Sequence, residues 1–353
     1  FWLKPVLAPA LRRPFRTSAE TGDMPGLRSF GLLAPLLSAR VSSGAVAGEL
    51  GAAAPAADDW APFPSAHGLL WVHRGCIHQA GEHFHVGPAR LEGALASPTV
   101  TLASSGEQLA HPPCPHAARW ENATSSPGHP AYYSDWAAYA QATHAPDGFG
   151  YMSSDWEVPA APKSSGPVPG MSSAYVFNGL EDGSGKHGAA SFILQPVLSY
   201  GKSGCVLDPL NFFSWHFTSF YVTQAGRAYC GRRLQVEEGE VLRGVMRLQG
   251  TTWTVESVRL KNNETSSYSV DLGGKVADAA YLTLESMINY GCNNFPASGS
   301  VTFSSNVLKD VHGNTVTPSW TRMLRHTECN ERVEVSDGGS VTLSWDTSAS
   351  LVV

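Results

Sequence analysis

An antiparallel β-sandwich is the fold class the sequence predicts, and three observations predict it. From about Phe149 onward, short runs rich in β-branched and aromatic residues alternate with Gly, Asn, Asp and Ser breaks, at spacings of roughly 8–15 residues. No segment of this part keeps a helical period over more than about ten residues. Charged residues make up only 15 % of the 353 residues against 42 % hydrophobic, with 35 Gly and 24 Pro, the balance of a β-rich extracellular protein.

Residues 1–60 are Ala-, Pro- and Leu-rich without a sustained period and are expected to be a targeting segment and linker. Met24, Arg28, the apolar run Phe30–Ala39 and the small-residue site Ala45-Val46-Ala47 follow the order of a secretory signal. The arginines at 12, 13, 16, 28 and 40 keep an organelle transit peptide open as the other reading. Residues 61–148, rich in His, Pro and Ala, read as an N-terminal extension of low regular structure or a propeptide-like region. One short helix is expected over Ser134–Ala142, capped by Ser134 or Asp135. The sandwich domain is expected over 149–353. Its strands are expected at Ala174–Asn178, Phe192–Leu198, Phe212–Val222, Val241–Leu248, Thr252–Leu260, Ser267–Leu272, Tyr281–Ile288, Val301–Phe303, Arg332–Val335 and Ser340–Trp345. Gln249-Gly250 and Ser336–Ser340 read as hairpin turns.

A net charge of −6 gives no electrostatic reason for a nucleic-acid partner. No apolar run reaches the length of a membrane span. The six cysteines Cys76, Cys114, Cys205, Cys230, Cys292 and Cys329 are widely spaced and include no CxxC, which favours disulfides in an oxidising compartment. Sequons at Asn122 and Asn263 agree with secretion. A secreted monomer is expected.

His78, His83 and His85 cluster, and an HxH pair on a strand puts both rings on one face. No HExxH or timely acidic ligand accompanies them, so a polar surface is the favoured reading, and no metal or cofactor is expected. There is no GxSxG elbow and no Gly-rich phosphate loop. Two polar intruders in apolar strands stand out. Gln195 lies within Phe192–Leu198, where a buried amide needs either a structural partner or a function. Glu285 shares a strand face with Tyr281 and Thr283, while Leu282, Leu284 and Ser286 share the other. Each is more often structural than functional when taken alone.

In order along the chain, Ser153–Pro162, Ala174–Gly183, Phe192–Gly201, Leu234–Gly250, Tyr281–Gly291 and Gly299–Asn306 resemble successive strand motifs of the glutamic peptidases, the eqolisin family of acid endopeptidases. FILQPVLSYG resembles the family strand carrying the catalytic Gln, and YLTLESMINYG falls where the family has its catalytic Glu. The resemblance implies a concanavalin-like (jelly-roll) sandwich, a polypeptide substrate, and Gln195 with Glu285 as the catalytic pair. Tyr175, Trp215, Phe217 and Tyr221 are then candidates to line the cleft, beside the commoner reading of core aromatics. The chain departs from the family at Asn178–Asp182, where a Gly-Ile-Asp-Gly is replaced, at Pro196 after the Gln, and at Ser286 in place of Trp. A second resemblance, through ILQPVL, Cys76-Ile-His78 and Trp136–Ala140, is to secreted microbial proteins and adds no activity. The alternative function is a non-catalytic carbohydrate- or protein-binding module on the same sandwich. A glycosidase, the third reading, pairs Glu285 with Glu181, Asp182 or Glu157.

Overall fold

Alternating β-branched and aromatic residues favour strands because they fit a pleated, half-buried surface. The computed structural model describes residues 60–63, 69–79, 82–87, 100–109, 119–121, 133–144, 147–166, 172–184, 191–202, 204–205, 211–223 and 226–350. The expected targeting segment up to residue 59, Cys114 and the sequon at Asn122 lie outside the described residues. The strands are β1 (Trp60–Phe63), β2 (Leu69–His73), β3 (Ile77–Gln79), β4 (Phe84–Val86), β5 (Val100–Leu102), β6 (Gln108–Leu109), β7 (Arg119–Glu121), β8 (Tyr133–Thr143), β9 (Phe149–Glu157), β10 (Ser173–Glu181), β11 (Phe192–Tyr200) and β12 (Trp215–Thr223). They continue with β13 (Ala228–Cys230), β14 (Leu234–Val236), β15 (Val241–Gln249), β16 (Thr252–Arg259), β17 (Glu264–Asp271), β18 (Ala279–Asn289), β19 (Ser300–Asp310), β20 (Thr315–Val316), β21 (Thr321–Leu324), β22 (Arg332–Val335) and β23 (Val341–Ser344).

Two sheets build the sandwich. The first runs β21-β8-β18-β10-β11-β12-β13-β3, with β14 beside β12. The second runs β22-β23-β19-β9-β15-β16-β17-β4-β5-β6, with β20 beside β19. The expected hairpins are β15–β16 and β22–β23. Between the sheets, Val176, Leu180, Leu194, Leu198, Leu282 and Leu284 of the first meet Trp156, Met246, Trp253, Val255 and Phe303 of the second. No helix among the described residues is long and apolar enough to cross a membrane.

The first sheet is also covered on its outer face. Tyr175, Phe177, Ile193, Val197, Phe220, Tyr281 and Met287 there pack with Ala61, Phe63, Val72, Cys76 and Cys205. Every residue of β10 and β11 is therefore buried, so these strands read as near-continuous apolar runs. Disulfides Cys205–Cys230 and Cys292–Cys329 close two loops, and Cys76 is disulfide-bonded as well.

The structure corrects the expected helix. Residues Ser134–Ala142 lie in β8, paired with β18 on one side and β21 on the other. Ala-rich sequence is compatible with either state, and pairing along β18 decides it, with Ala138, Ala140 and Ala142 facing the core. The sheets also take strands from before residue 149: β3 joins β13 in parallel, and β4 joins β17 in parallel. Three-residue strands flanked by Gly and His carry too little periodicity to read in isolation.

Hydrogen bonds across the core tie the two sheets behind the site, Ser219 to Ser257 and Ser266 among them. Asn178 Nδ2 donates to Gly244 O at 3.2 Å, and a Cβ on Gly244 would lie 2.0 Å from Asn178 Oδ1 and 2.9 Å from Pro196 Cβ. Gly244 is thus required by close approach across the core.

Candidate active site

Register decides which side chains meet on the outer face. The β10–β11 pairs Phe177↔Val197 and Leu180↔Leu194 set Gly179 beside Gln195, and β10–β18 sets Gly179 beside Tyr281. Gln195, Gly179 and Tyr281 form one row. A Cβ on Gly179 would lie 3.5 Å from Gln195 Cγ, so the amide side chain rests over the glycine. Glu181, two residues along β10, is diagonal to both Gln195 and Tyr281, a separation of roughly 7–8 Å between Cα atoms. Gln195 is 0 % exposed, and neither its Nε2 nor its Oε1 has a hydrogen-bond partner among the described residues. Pro196 contributes no N–H at this point of the ladder, in a strand with neighbours on both sides, an uncommon place for proline.

Glu285 lies in a second row on the same face, opposite Tyr175 on β10 and Trp136 on β8. A register shift between Leu284 and Glu285 leaves Ala137 as the extra residue of a bulge, and this turns Trp136 outward while Ala138 faces the core. Burial first, and the Glu285 charge second, push the Tyr175 phenol well above its ordinary pKa. Tyr175 Oη donates to Lys202 O at 3.2 Å. Ile288, three residues on, has φ 53°, a strained value for a β-branched residue.

Gln195 and Glu285 thus share a face but not a neighbourhood. They are two strands and four residues apart, roughly 16 Å between Cα atoms at ordinary strand spacing and rise. The row holding Phe177 and Val197 runs between them.

Tyr175 is on this outer face. Trp215, Phe217 and Tyr221 are not: they lie in the core between the sheets, with Trp156 edge-on to Phe217 at 5.3 Å. The strand period is the reason, because Phe220 pairs with Gln195 and the odd-numbered residues of β12 point the other way. His78 packs against Phe84 and Tyr229, while His83 and His85 bond to Ser267 and Ser269 of β17. A groove of about 420 Å³ holds Glu157 and Glu238, but it lies at the ends of β9, β15 and β19, in the other sheet.

Solved structures similar to this chain include two glutamic peptidases. One is SCP-B of the eqolisin family, in a complex with the tripeptide Ala-Ile-His, at 15 % identity over 61 % of this chain and 99 % of that one, TM-score 0.41. Another is scytalido-glutamic peptidase with a transition state analog inhibitor, at 17 % identity, 61 % and 99 % coverage, TM-score 0.42. The CBM2 module of the evolved Dit of Lactobacillus casei BL23 phage J-1 matches at 10 % identity, 59 % and 62 % coverage, TM-score 0.26. No family model and no curated protein matches the chain.

The sequence offered Glu181 only as a possible carboxylate partner of Glu285 and did not place it with Gln195 and Tyr281. Burial raises the Glu181 carboxyl to about 7, Asp182 and Asp278 add to the rise, and Tyr281, by hydrogen bonding, and Arg325 oppose it. The alternation within SAYVFNGLE was enough to put Glu181 and Gly179 on one face; the strand offset that brings Gln195 there was not legible. His216, also on the outer face, is lowered to about 4 by burial and then by Arg233.

The raised Glu181 makes stability depend on pH. The unfolded carboxyl ionises near its ordinary 4.5 and the folded one near 7, so the folded state holds the extra proton between these values. The stabilisation is full below about 4.5 and is lost as pH rises through about 7, a change of about 3 kcal/mol. His216 acts oppositely, weakening the fold as pH falls below its ordinary 6.5 towards 4. Denaturant titrations at acid and neutral pH, compared between wild type and Glu181→Gln, isolate the Glu181 part. Equal pH dependence in both proteins would contradict it.

Proposed function

We propose that the protein is a secreted endopeptidase that hydrolyses peptide bonds on the outer face of the first sheet. The observation carrying this reading is Gln195: a wholly buried amide, aimed over a glycine, with neither polar atom bonded among the described residues. A buried polar group left so costs the fold roughly 1–3 kcal/mol, which points to a role outside stability. Its NH₂ can donate to the oxyanion of a tetrahedral intermediate, and its carbonyl can orient the attacking water. The reaction also needs a carboxyl as general base to the water and then acid to the leaving amine; the motif order offers Glu285 for it, at roughly 16 Å from Gln195 between Cα atoms. The disulfides Cys205–Cys230 and Cys292–Cys329 support the secreted setting.

The arrangement described is closed. Glu285 is 1 % exposed, and Phe63 and Val72 lie on the face a substrate needs. Substrate entry therefore requires the β1–β2 segment to lift, while β3, β4 and β8, which belong to the sheets, stay. The test is cleavage of an unfolded protein across acid to neutral pH. Wild type is expected to cleave, and Gln195→Ala and Glu285→Gln each to lose most of kcat/KM. A folded wild type that is inert at every pH, with the cover loosened by Phe63→Ala, would leave the non-catalytic binding module.

A further inference from the structure

We propose that the carboxyl exchanging protons beside Gln195 is Glu181, held in place by Tyr281; this rests on the hydrolytic reading above. Three independent features converge on it. Register makes Glu181 the diagonal cross-strand neighbour of Gln195, whereas Glu285 is two strands and four residues away. Gly179 puts no side chain of its own between Gln195 and Tyr281, and a Cβ there would lie 3.5 Å from Gln195 Cγ, so the amide extends over the strand that carries Glu181. Glu181 is 4 % exposed, and its Oε2 has no hydrogen-bond partner among the described residues.

The surroundings hold this carboxyl by design of the local chain. Tyr281 hydrogen-bonds Glu181 and accepts from Gln141 Nε2 at 3.3 Å. The turn after β10 stays clear of it because Gly183 has no Cβ; one would lie 2.6 Å from Ala279 Cβ and 3.2 Å from Tyr281 Oη. Asp182 is engaged with Ser184 and Ser191, and Asp278 accepts from Ser184 N, so these acids are occupied. The charged and titratable groups acting on Glu181 are Tyr281, Asp182, Asp278 and Arg325.

In the step, Glu181 takes a proton from water as the water oxygen bonds the scissile carbon, and Gln195 Nε2 donates to the oxyanion. The carbon–nitrogen bond then breaks, and Glu181 returns the proton to the leaving amine. Glu285, at the far end of the face, meets the substrate away from the scissile bond. A base of this kind must be ionised, so activity climbs as pH rises through about 7 instead of peaking in acid.

The full chain, acting on a reduced and alkylated protein, provides the test through kcat and KM against pH. Wild type is expected to show a rising limb near 7. Glu181→Gln should cut kcat by about 10²-fold or more with little change in KM. Glu285→Gln should act mainly on KM. Tyr281→Phe, which removes a hydrogen bond that lowers Glu181, should move the limb to higher pH. If Glu181→Gln keeps wild-type kcat and limb while Gln195→Ala is inactive, the assignment fails and the hydrolytic reading survives. If no protein cleaves at any pH, even with Phe63→Ala, both fail. Should Glu181→Gln not fold, a limb unmoved by Tyr281→Phe overturns the assignment.

Discussion

Gln195→Leu is expected to abolish cleavage and to raise stability at the same time. The loss of an oxyanion donor costs about 10²–10³ in kcat. The gain comes from the folded state: the amide is 0 % exposed and bonds to no described residue, so an apolar chain of similar volume relieves an unmet desolvation cost of about 1–3 kcal/mol. Leu in place of Gln also suits its lateral neighbours Ile193 and Val197, which occupy the same face of β11. Denaturant midpoint and turnover number, measured on the same preparation, check this. A fall in both would show that Gln195 serves the fold, and would remove the observation on which the functional reading stands.

Phe63→Ala is expected to cost about 3–5 kcal/mol, a large part of a usual domain stability. The ring is 0 % exposed, lies edge-on to Phe220 at 6.1 Å, and occupies the space a Cβ on Gly204 would need. Few other groups can fill the hole, because Cys205–Cys230 ties the loop beneath to β13 and Gln79 Nε2 holds Cys205 O at 3.1 Å. The same change weakens the cover over Gln195, so turnover per folded molecule should rise as stability falls. Urea titration with parallel rate measurements reads both. An unchanged midpoint would mean that the β1–β2 segment contributes little to the fold, and an unchanged rate would mean that it does not limit access.

Much of the sandwich was legible because strands announce themselves one at a time. The spacing from Phe149, the β15–β16 hairpin and the common face of Tyr281, Thr283 and Glu285 need only a period of two. β8 was not legible: YSDWAAYAQAT is Ala-rich, and its pairing with a strand well over a hundred residues away settled its state. Trp215, Phe217 and Tyr221 could equally have faced out, since their shared parity says that they are together but not on which side.

The class of the fold, most strands beyond Phe149 and the oddity of an amide within an apolar run follow from local pattern. Tertiary structure alone decided which carboxyl stands near that amide. Side-chain parity is local, but the offset between strands is set by packing on both faces at once. A shift of two residues along β10 would keep every face assignment and change which residue stands beside Gln195. Burial of the outer face is equally non-local: Phe63 and Val72 pack on it from outside the sheet, and burial raises the Glu181 carboxyl.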